Sequence, residues 1–537
     1  MSMDKLFLYD TTLRDGAQGA DVSFSASDKV KIVDRLDKLG IHYIEPGFAG
    51  SNKVDDQVFR QLSTMDLEYA KISAFGMTRR PLVPVDEDAS LKALIKCGTP
   101  AVTIVGKTWD RHVTNVLRTT LEENLAMIAD SVKYLKGQGR EVIFDAEHFF
   151  DGFKQNQKYA LEVLKTAQKE KVDWIVLCDT NGGIMPHEVD QIVTLVKKEI
   201  STPLGIHCHD DSGMSQANSI AAILRGVTQV HGTINGLGER CGNCNMSTLI
   251  ANLKLKMGYK DLITDEQLKR LKEISSYIFE IANMKENPGL PYIGSNAFTH
   301  KGGMHSDAVL KDDVSYEHID PALVGNERRI SISDLAGKAA IFEKAKELGM
   351  DLEKDDEKVK TILANIKVLQ NEGFAYESAD ASLELLMKGT AHDPKHPGKL
   401  KAKFFTLERF RVITETNGDG IPRSEATIKV KVNDREFLTA AEGNGPVNAL
   451  DNALRKSLEY FYPEVKNMVL SDYKVRITDQ SGTGSKVRVL IETKDNEKSW
   501  VTVGASENII WASWIALADS IVYKLLKELE KKGFSLA

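Results

Sequence analysis

Through the first half of the chain, short apolar runs alternate with polar or glycine-rich breaks, each followed by a stretch whose apolar residues recur at helical spacing. The runs are 6–9, 41–44, 72–75, 102–105, 142–144, 174–177, 204–206 and 230–234. Segment 27–40 shows the helical partner: Val30, Ile32, Val33, Leu36 and Leu39 share one face, and Gly40 closes it. Eight strand–helix units in about 250 residues predict a parallel (β/α)8 barrel, an α/β fold.

Polar residues follow the runs: Arg14 and Asp15, Glu45, Thr78 and Arg79, Lys107, Glu147 and His148, Asp179 and Thr180, His207 and His209, then Asn235 and Glu239. In a closed barrel every one of these strand ends opens on the same face, so the residues converge on one pocket. An open doubly wound sheet would spread them along a line.

From 261 to 400 the pattern turns helical and charged, with Asn296-Ala-Phe-Thr-His-Lys-Gly-Gly-Met-His-Ser-Asp307 embedded as a second candidate catalytic segment. Residues 388–400, with Pro394, Pro397 and several lysines, read as a linker. The last part, 401–537, repeats at an offset of 63: 437–460 aligns with 500–523, pairing Thr439 with Thr502, Ala449 with Ala512, Ala453 with Ala516, Leu454 with Leu517, Ser457 with Ser520 and Tyr460 with Tyr523. Two copies of strand, turn and helix predict an α+β module for effector binding and subunit pairing. The expected domains are therefore 1–260 (barrel), 261–400 (helical linker region) and 401–537 (regulatory).

Composition narrows the partners. With 537 residues, 42% hydrophobic and 27% charged, the chain reads as a soluble globular protein of two to four domains. A net charge of −7 argues against binding nucleic acid, which needs a basic surface. Its most apolar stretch, 509–522, is broken by Asp519 and reads as a buried helix, so no membrane span is expected. The N-terminus shows no leader pattern, and three of five cysteines (Cys178, Cys208, Cys241) lie in candidate active-site segments. Both point to a cytoplasmic protein.

The candidate chemistry is a metal site. His207 and His209, two apart at a strand end, present both imidazoles to one face. Asp15 would complete a set of two histidines and one carboxylate, with Asp210 as an outer acceptor and Asn243 as a further ligand. Beside them, Arg14 can hold an anionic oxygen. The glycine-rich 236–242 misses the dinucleotide spacing, 98–107 misses the P-loop spacing, and Cys241–Cys244 lacks a second pair for zinc.

Asp10-Thr11-Thr12-Leu13-Arg14-Asp15-Gly16, Glu45, His207-x-His209, Gly238-Glu239-Arg240-x-Gly242-Asn243 and Gly303-Met304-His305 together resemble the DRE-type TIM-barrel enzymes that condense acyl-CoA, the 2-isopropylmalate, homocitrate and citramalate synthases. The continuation Ala17-Gln18-Gly19 and Val22-Ser23-Phe24-Ser25 most resembles the citramalate group. That resemblance implies a Claisen condensation of acetyl-CoA with pyruvate to (R)-citramalate, in isoleucine biosynthesis. It also implies a divalent cation (Mg, Mn or Zn) on Asp15, His207, His209 and Asn243. Arg14, Glu45, Glu147 and Thr180 would bind the keto acid. His305, with Asp307 and Tyr316, would supply the base. Gly443, Gly445, Pro446, Ser506 and Asn508 would bind an amino-acid effector, isoleucine, in a homodimer or higher oligomer. The alternatives are a 2-isopropylmalate synthase taking 2-ketoisovalerate, a metal-dependent carbon–carbon lyase, or a non-catalytic amino-acid sensor.

Overall fold

The computed structural model describes residues 5–301, 303–332, 336–353, 356–416, 420–478 and 482–533. The chain divides into two units, one of 1–298 and 319–327, the other of 299–318 and 328–537. In the first, β1 (Phe7–Asp10), β2 (Tyr43–Ile44), β3 (Lys71–Met77), β4 (Ala101–Lys107), β5 (Glu141–Glu147), β6 (Trp174–Asp179), β7 (Leu204–Cys208) and β8 (Gln229–Gly232) form a closed barrel. Each strand runs parallel to its neighbours, and β8 pairs back onto β1 through Phe7 with Gln229 and Asp10 with Gly232.

Such strands are covered on both faces, which is why they read as near-continuous apolar runs. Alternation sorts their side chains. Leu8, Val102, Val142, Phe144, Ile206 and Val230 join the core beneath the outer helices, while Tyr9, Ile143, Val176 and Cys178 fill the barrel interior. The eighth run ends sooner than expected. Asn235 adopts φ 64° and folds Ile234–Gly236 into a short 3-10 turn, so the strand stops at Gly232.

The connecting helices are set by local signals. Helix Ala26–Leu39 begins with a capping box between Ser25 and Asp28 and ends at Gly40, whose φ of 88° suits glycine.

In the second unit, β9 (Thr299–His300) pairs with β10 (Arg329–Ile330). Helices Lys338–Glu347, Glu357–Asn371 and Asp380–His392 follow. The last of these takes in the first part of the expected linker. Lys388 there pairs with Glu384 and Glu530, and Thr390 is fully buried, so the stretch is packed helix up to His392.

Two antiparallel sheets complete the unit: β11 (Thr406–Thr416), β12 (Pro422–Val432) and β13 (Arg435–Gly443), then β14 (Val469–Ile477), β15 (Val487–Lys494) and β16 (Ser499–Ser506). Helix Pro446–Leu458 follows the first sheet and helix Ile509–Lys531 the second. The repeat extends well beyond the aligned strand and helix. Ser424 faces Gly443 as Val487 faces Ser506, and Val412 faces Ala426 as Val475 faces Val489. Even the register shifts recur, between Leu407 and Arg409 and between Leu470 and Asp472. Thr439 donates to the Ala453 carbonyl at 2.8 Å, and Thr502 does the same to Ala516 at 2.8 Å.

Helix Ile509–Lys531 has the length and apolarity to cross a membrane. In this unit it is a core helix, with Ala512, Ala516, Leu517, Ile521 and Leu525 buried. Its close approach to β16 is made at Gly504, where an added Cβ would sit 2.0 Å from the Ala512 carbonyl oxygen, whereas at Gly445 nothing lies within 4 Å. Gly504→Ala is expected to lower stability by about 2 kcal/mol through overpacking, and Gly445→Ala to leave it nearly unchanged. Thermal unfolding of the two full-length variants checks this; equal melting temperatures would contradict the packing.

Candidate active site

The first segment leaves β1 in a tight turn organised by its own side chains. Asp10, fully buried, accepts from the Thr12 N–H and hydroxyl, both at 2.9 Å. The Ile234 N–H donates to Thr12 Oγ1 at 2.8 Å and ties the turn to the end of β8. Burial pushes the Asp10 carboxyl up to about 7 against these donors. This turn delivers Arg14 and Asp15 to the barrel mouth.

There Asp15 meets His207 and His209. All three are buried, and their ligand atoms lie within 4.8 Å of one another. His207 is the inward residue near the end of β7, and His209 follows just beyond it in an isolated bridge to Asn243. Asn243 Nδ2 donates to Asp15 Oδ1 at 3.0 Å and to the Leu237 carbonyl at 3.1 Å. His207 Nδ1, His209 Nδ1 and Asn243 Oδ1 are buried without a hydrogen-bond partner. Such orphans call for an occupant.

Burial lowers His207 to about 3 and lowers His209 as well, so both imidazoles are neutral with lone pairs available. Against the burial that would raise it, the Arg14 guanidinium holds the Asp15 carboxyl well below its usual range. Two neutral imidazoles, an ionised carboxylate and an amide oxygen fit a divalent cation. Asp210 is not an outer partner of the histidines as expected; its carboxylate caps helix Ser215–Leu224, accepting from Ser215 N at 2.9 Å and from the Ser215 hydroxyl.

Arg14 is fixed from three sides. Its Nε donates to Glu45 Oε1 at 2.5 Å, Nη1 donates to Asp15 Oδ2 at 2.9 Å, and the guanidinium lies 3.9 Å from the Phe75 ring centroid. Nη2 has no protein partner among the described residues. Glu45, fully buried, also accepts from Tyr9 OH at 2.5 Å and Thr11 Oγ1 at 2.7 Å, so both its oxygens are engaged. Glu147, at the end of β5, pairs with Lys107. Thr180 Oγ1 accepts from the His148 N–H at 2.8 Å. Asp145, one inward position below Glu147, went unnoticed in the sequence: burial first, and then Glu45, pushes its carboxyl far up, and its Oδ1 is unpartnered.

Two adjoining cavities of about 330 and 390 Å3 run beside this cluster and share Phe48 and Ser51. One reaches Arg79 and Lys107, the other Arg14, Gln18 and Asn52.

The remaining expected residues belong to the second unit. His305 is exposed on helix Gly303–Lys311, its ring 4.5 Å from that of Tyr316, and Asp307 pairs with Lys311. Gly302, in the same segment, lies outside the described residues. At the expected effector turns, helix Pro446–Leu458 starts at Gly445 with no side-chain cap. The second helix start differs from expectation. Asn508 Oδ1 already accepts from Ile510 N at 2.9 Å and Trp511 N at 3.1 Å, and Ser506 Oγ accepts from Asn508 N at 3.1 Å, so these amides are not free.

Residues 5–278 match the HMGL-like family, 292–373 the homocitrate synthase post-HMGL domain-like family, and 377–525 the LeuA allosteric (dimerisation) domain. The chain is 52% identical over 531 residues to the (R)-citramalate synthase of Aquifex aeolicus, covering 98% of this chain and 99% of that protein. To the (R)-citramalate synthase of Geobacter sulfurreducens it is 51% identical over 533 residues, covering 99% of each. The chain belongs to the citramalate/2-isopropylmalate/homocitrate synthase family. A 2-isopropylmalate synthase of Methanocaldococcus jannaschii is more distant, at 32% identity over 530 residues, covering 98% of this chain and 96% of that protein. Membership makes the protein an acyl-CoA-condensing enzyme with a LeuA-type allosteric domain.

Removing a donor from a three-residue set empties it, so His207→Ala and Asp15→Ala are expected to lose bound metal and turnover together. Elemental analysis beside the rate measures this. A variant that turns over normally with no metal would contradict the site.

Proposed function

We propose that the protein condenses acetyl-CoA with pyruvate and hydrolyses the thioester, giving (R)-citramalate and CoA for isoleucine biosynthesis. What carries the reading is end-to-end similarity to (R)-citramalate synthases at 52% and 51% identity, against 32% to a 2-isopropylmalate synthase, together with the donor set at the barrel mouth. Five cysteines without a disulfide support a cytoplasmic location.

A divalent cation, Mg2+, Mn2+ or Zn2+, held by Asp15, His207, His209 and Asn243 Oδ1, would supply Lewis-acid polarisation of the keto carbonyl. The protein's own residues do the rest. Thr180 and Glu147 orient the keto acid, and the acyl-CoA arm lies along the paired cavities that meet at Phe48 and Ser51. His305, with Asp307 and Tyr316 assisting, takes a proton from the acetyl methyl. The electron pair left behind forms the bond to the keto carbon. The free Nη2 edge of Arg14 neutralises the resulting alkoxide, while Glu45 acts through Arg14 by holding its opposite edge. Water then adds to the thioester carbonyl and the CoA thiolate departs.

Thiol release measured with pyruvate, 2-ketoisovalerate and 2-ketoglutarate is expected to give a kcat/KM for pyruvate at least about tenfold above the others, the scale on which pocket size discriminates added methylenes. A preference for 2-ketoisovalerate would make the protein a 2-isopropylmalate synthase instead. Carbon–carbon cleavage without thiol release would make it a lyase, and no turnover at all a sensor.

Isoleucine is the proposed effector, bound at the uncapped helix start near Gly443, Gly445 and Pro446, in a homodimer built through the LeuA-type domain. Support comes from the match of 377–525 to a LeuA allosteric (dimerisation) domain. Isoleucine is expected to inhibit with a coupling of about 1–3 kcal/mol, and Gly445→Asp, which puts a negative charge at that start, to lose the inhibition while staying active. A variant as sensitive as the parent would place the effector elsewhere.

A further inference from the structure

Thr180 is gripped from two sides by residues in an unfavourable backbone conformation. His148 and Arg240 both adopt φ 56°, the left-handed region that L side chains rarely enter. The His148 N–H donates to Thr180 Oγ1 at 2.8 Å. Arg240 Nη2 donates to the Thr180 carbonyl at 2.8 Å, while the same guanidinium forms a two-point pair with Asp211, Nε to Oδ1 and Nη2 to Oδ2, both at 2.8 Å. Strain of this kind persists only where the surroundings over-determine it, and it gathers at functional positions.

The hydrogen bond from His148 has a chemical consequence. A threonine hydroxyl carries one hydrogen and two lone pairs. With a lone pair occupied by the His148 N–H, and no acceptor for the hydroxyl hydrogen among the described residues, Thr180 is left with a donor to offer. A donor suits an anionic oxygen. The imidazole of His148 makes its contacts with other residues: its ring lies 4.1 Å from that of His112, and Nδ1, 3.5 Å from Asp151 Oδ2, makes no hydrogen bond. The backbone of His148 is therefore what bears on Thr180.

We propose that His148 and Arg240 are positioning residues that fix Thr180 as a hydrogen-bond donor to the carboxylate of the keto acid, with the left-handed turn at His148 supplying the geometry. This rests on the reading of Thr180 as a keto-acid residue. Positive φ is the operative feature, so residues that tolerate it preserve the function and a β-branched residue destroys it.

The test is steady-state kinetics on the metal-loaded, full-length enzyme, following KM for pyruvate, KM for acetyl-CoA, kcat and metal content. His148→Val is expected to raise KM for pyruvate by about tenfold with KM for acetyl-CoA and metal content as in the parent. His148→Gly and His148→Asn, which accept the left-handed turn, are expected to restore KM to within about twofold. Arg240→Asn keeps its own turn while removing the guanidinium, and is expected to raise KM for pyruvate in the same selective way; it also serves if His148→Val fails to fold. A His148→Gly variant as impaired as His148→Val would overturn the proposal by making the imidazole the operative part. Thr180→Val separates the two levels. Raised KM there with unchanged KM in His148→Val and Arg240→Asn overturns the positioning alone, while unchanged KM in Thr180→Val removes the keto-acid reading and the inference with it.

Discussion

Buried charge is the constraint around which the catalytic unit is organised. Asp15, Arg14 and Glu45 form a chain of ion pairs almost out of reach of water, with side-chain exposures of 5%, 12% and 0%. Charges so placed are tolerated only when paired and hydrogen-bonded. The structure meets that demand: Tyr9 and Thr11 donate to Glu45, and Asn243 donates to Asp15. Even so, two carboxylates face one guanidinium. Asp145 lies in the same barrel mouth, and burial first, then Glu45, pushes its carboxyl far up. A divalent cation held beside Asp15 would offset that imbalance and take the neutral imidazoles of His207 and His209 as ligands. Substrate chemistry then follows from what the cluster leaves open, the free edge of Arg14.

The barrel makes this cluster possible because alternate residues of each strand share the interior and the strand ends share one mouth. Arg14 and Asp15 after β1, Glu45 after β2, Glu147 at the end of β5 and His207 in β7 are brought to one end of the barrel by topology. The loops then refine the arrangement. Capping at Ser215 by Asp210 and the turn at Asn235 hold the polypeptide on either side of the metal donors, and left-handed residues at His148 and Arg240 aim groups that regular secondary structure could not. In the second unit a different economy applies. One module of three strands and a helix is used twice with the same register, the same irregularities and the same threonine-to-helix hydrogen bond.

Much of this was legible in the residues. Strands buried on both faces announce themselves as apolar runs, so all eight barrel strands and the polar residues that follow them could be read. His207, His209 and Asp15 were legible through strand periodicity and position. The repeat was legible only in its third strand and helix, where packed small residues such as Ala449 and Ala512 keep the two copies alike; the edge strands β11 and β14 carry mostly exposed positions whose side chains are free to diverge, and the central strands β12 and β15 place different residues at matching buried positions, Ala426 against Val489 and Val430 against Thr493. Asp145 sits as one acid within an apolar strand and gave no pattern. The turn at His148 was invisible because nothing in a histidine signals positive φ, and Asp210 was misassigned because an acid beside a metal ligand and an acid capping the next helix look the same along the chain.

In the proposed function, Asp15, His207 and His209 hold a divalent cation and pyruvate docks there beside Arg14. Anomalous diffraction from crystals grown with Mn2+ and pyruvate tests it directly. A single strong peak is expected at the mouth of the barrel, within about 2.3 Å of a carboxylate oxygen of Asp15 and one nitrogen each of His207 and His209, with pyruvate density reaching toward Arg14 Nη2. A peak held by other residues, or pyruvate bound in crystals of active enzyme with no metal at this place, would contradict it.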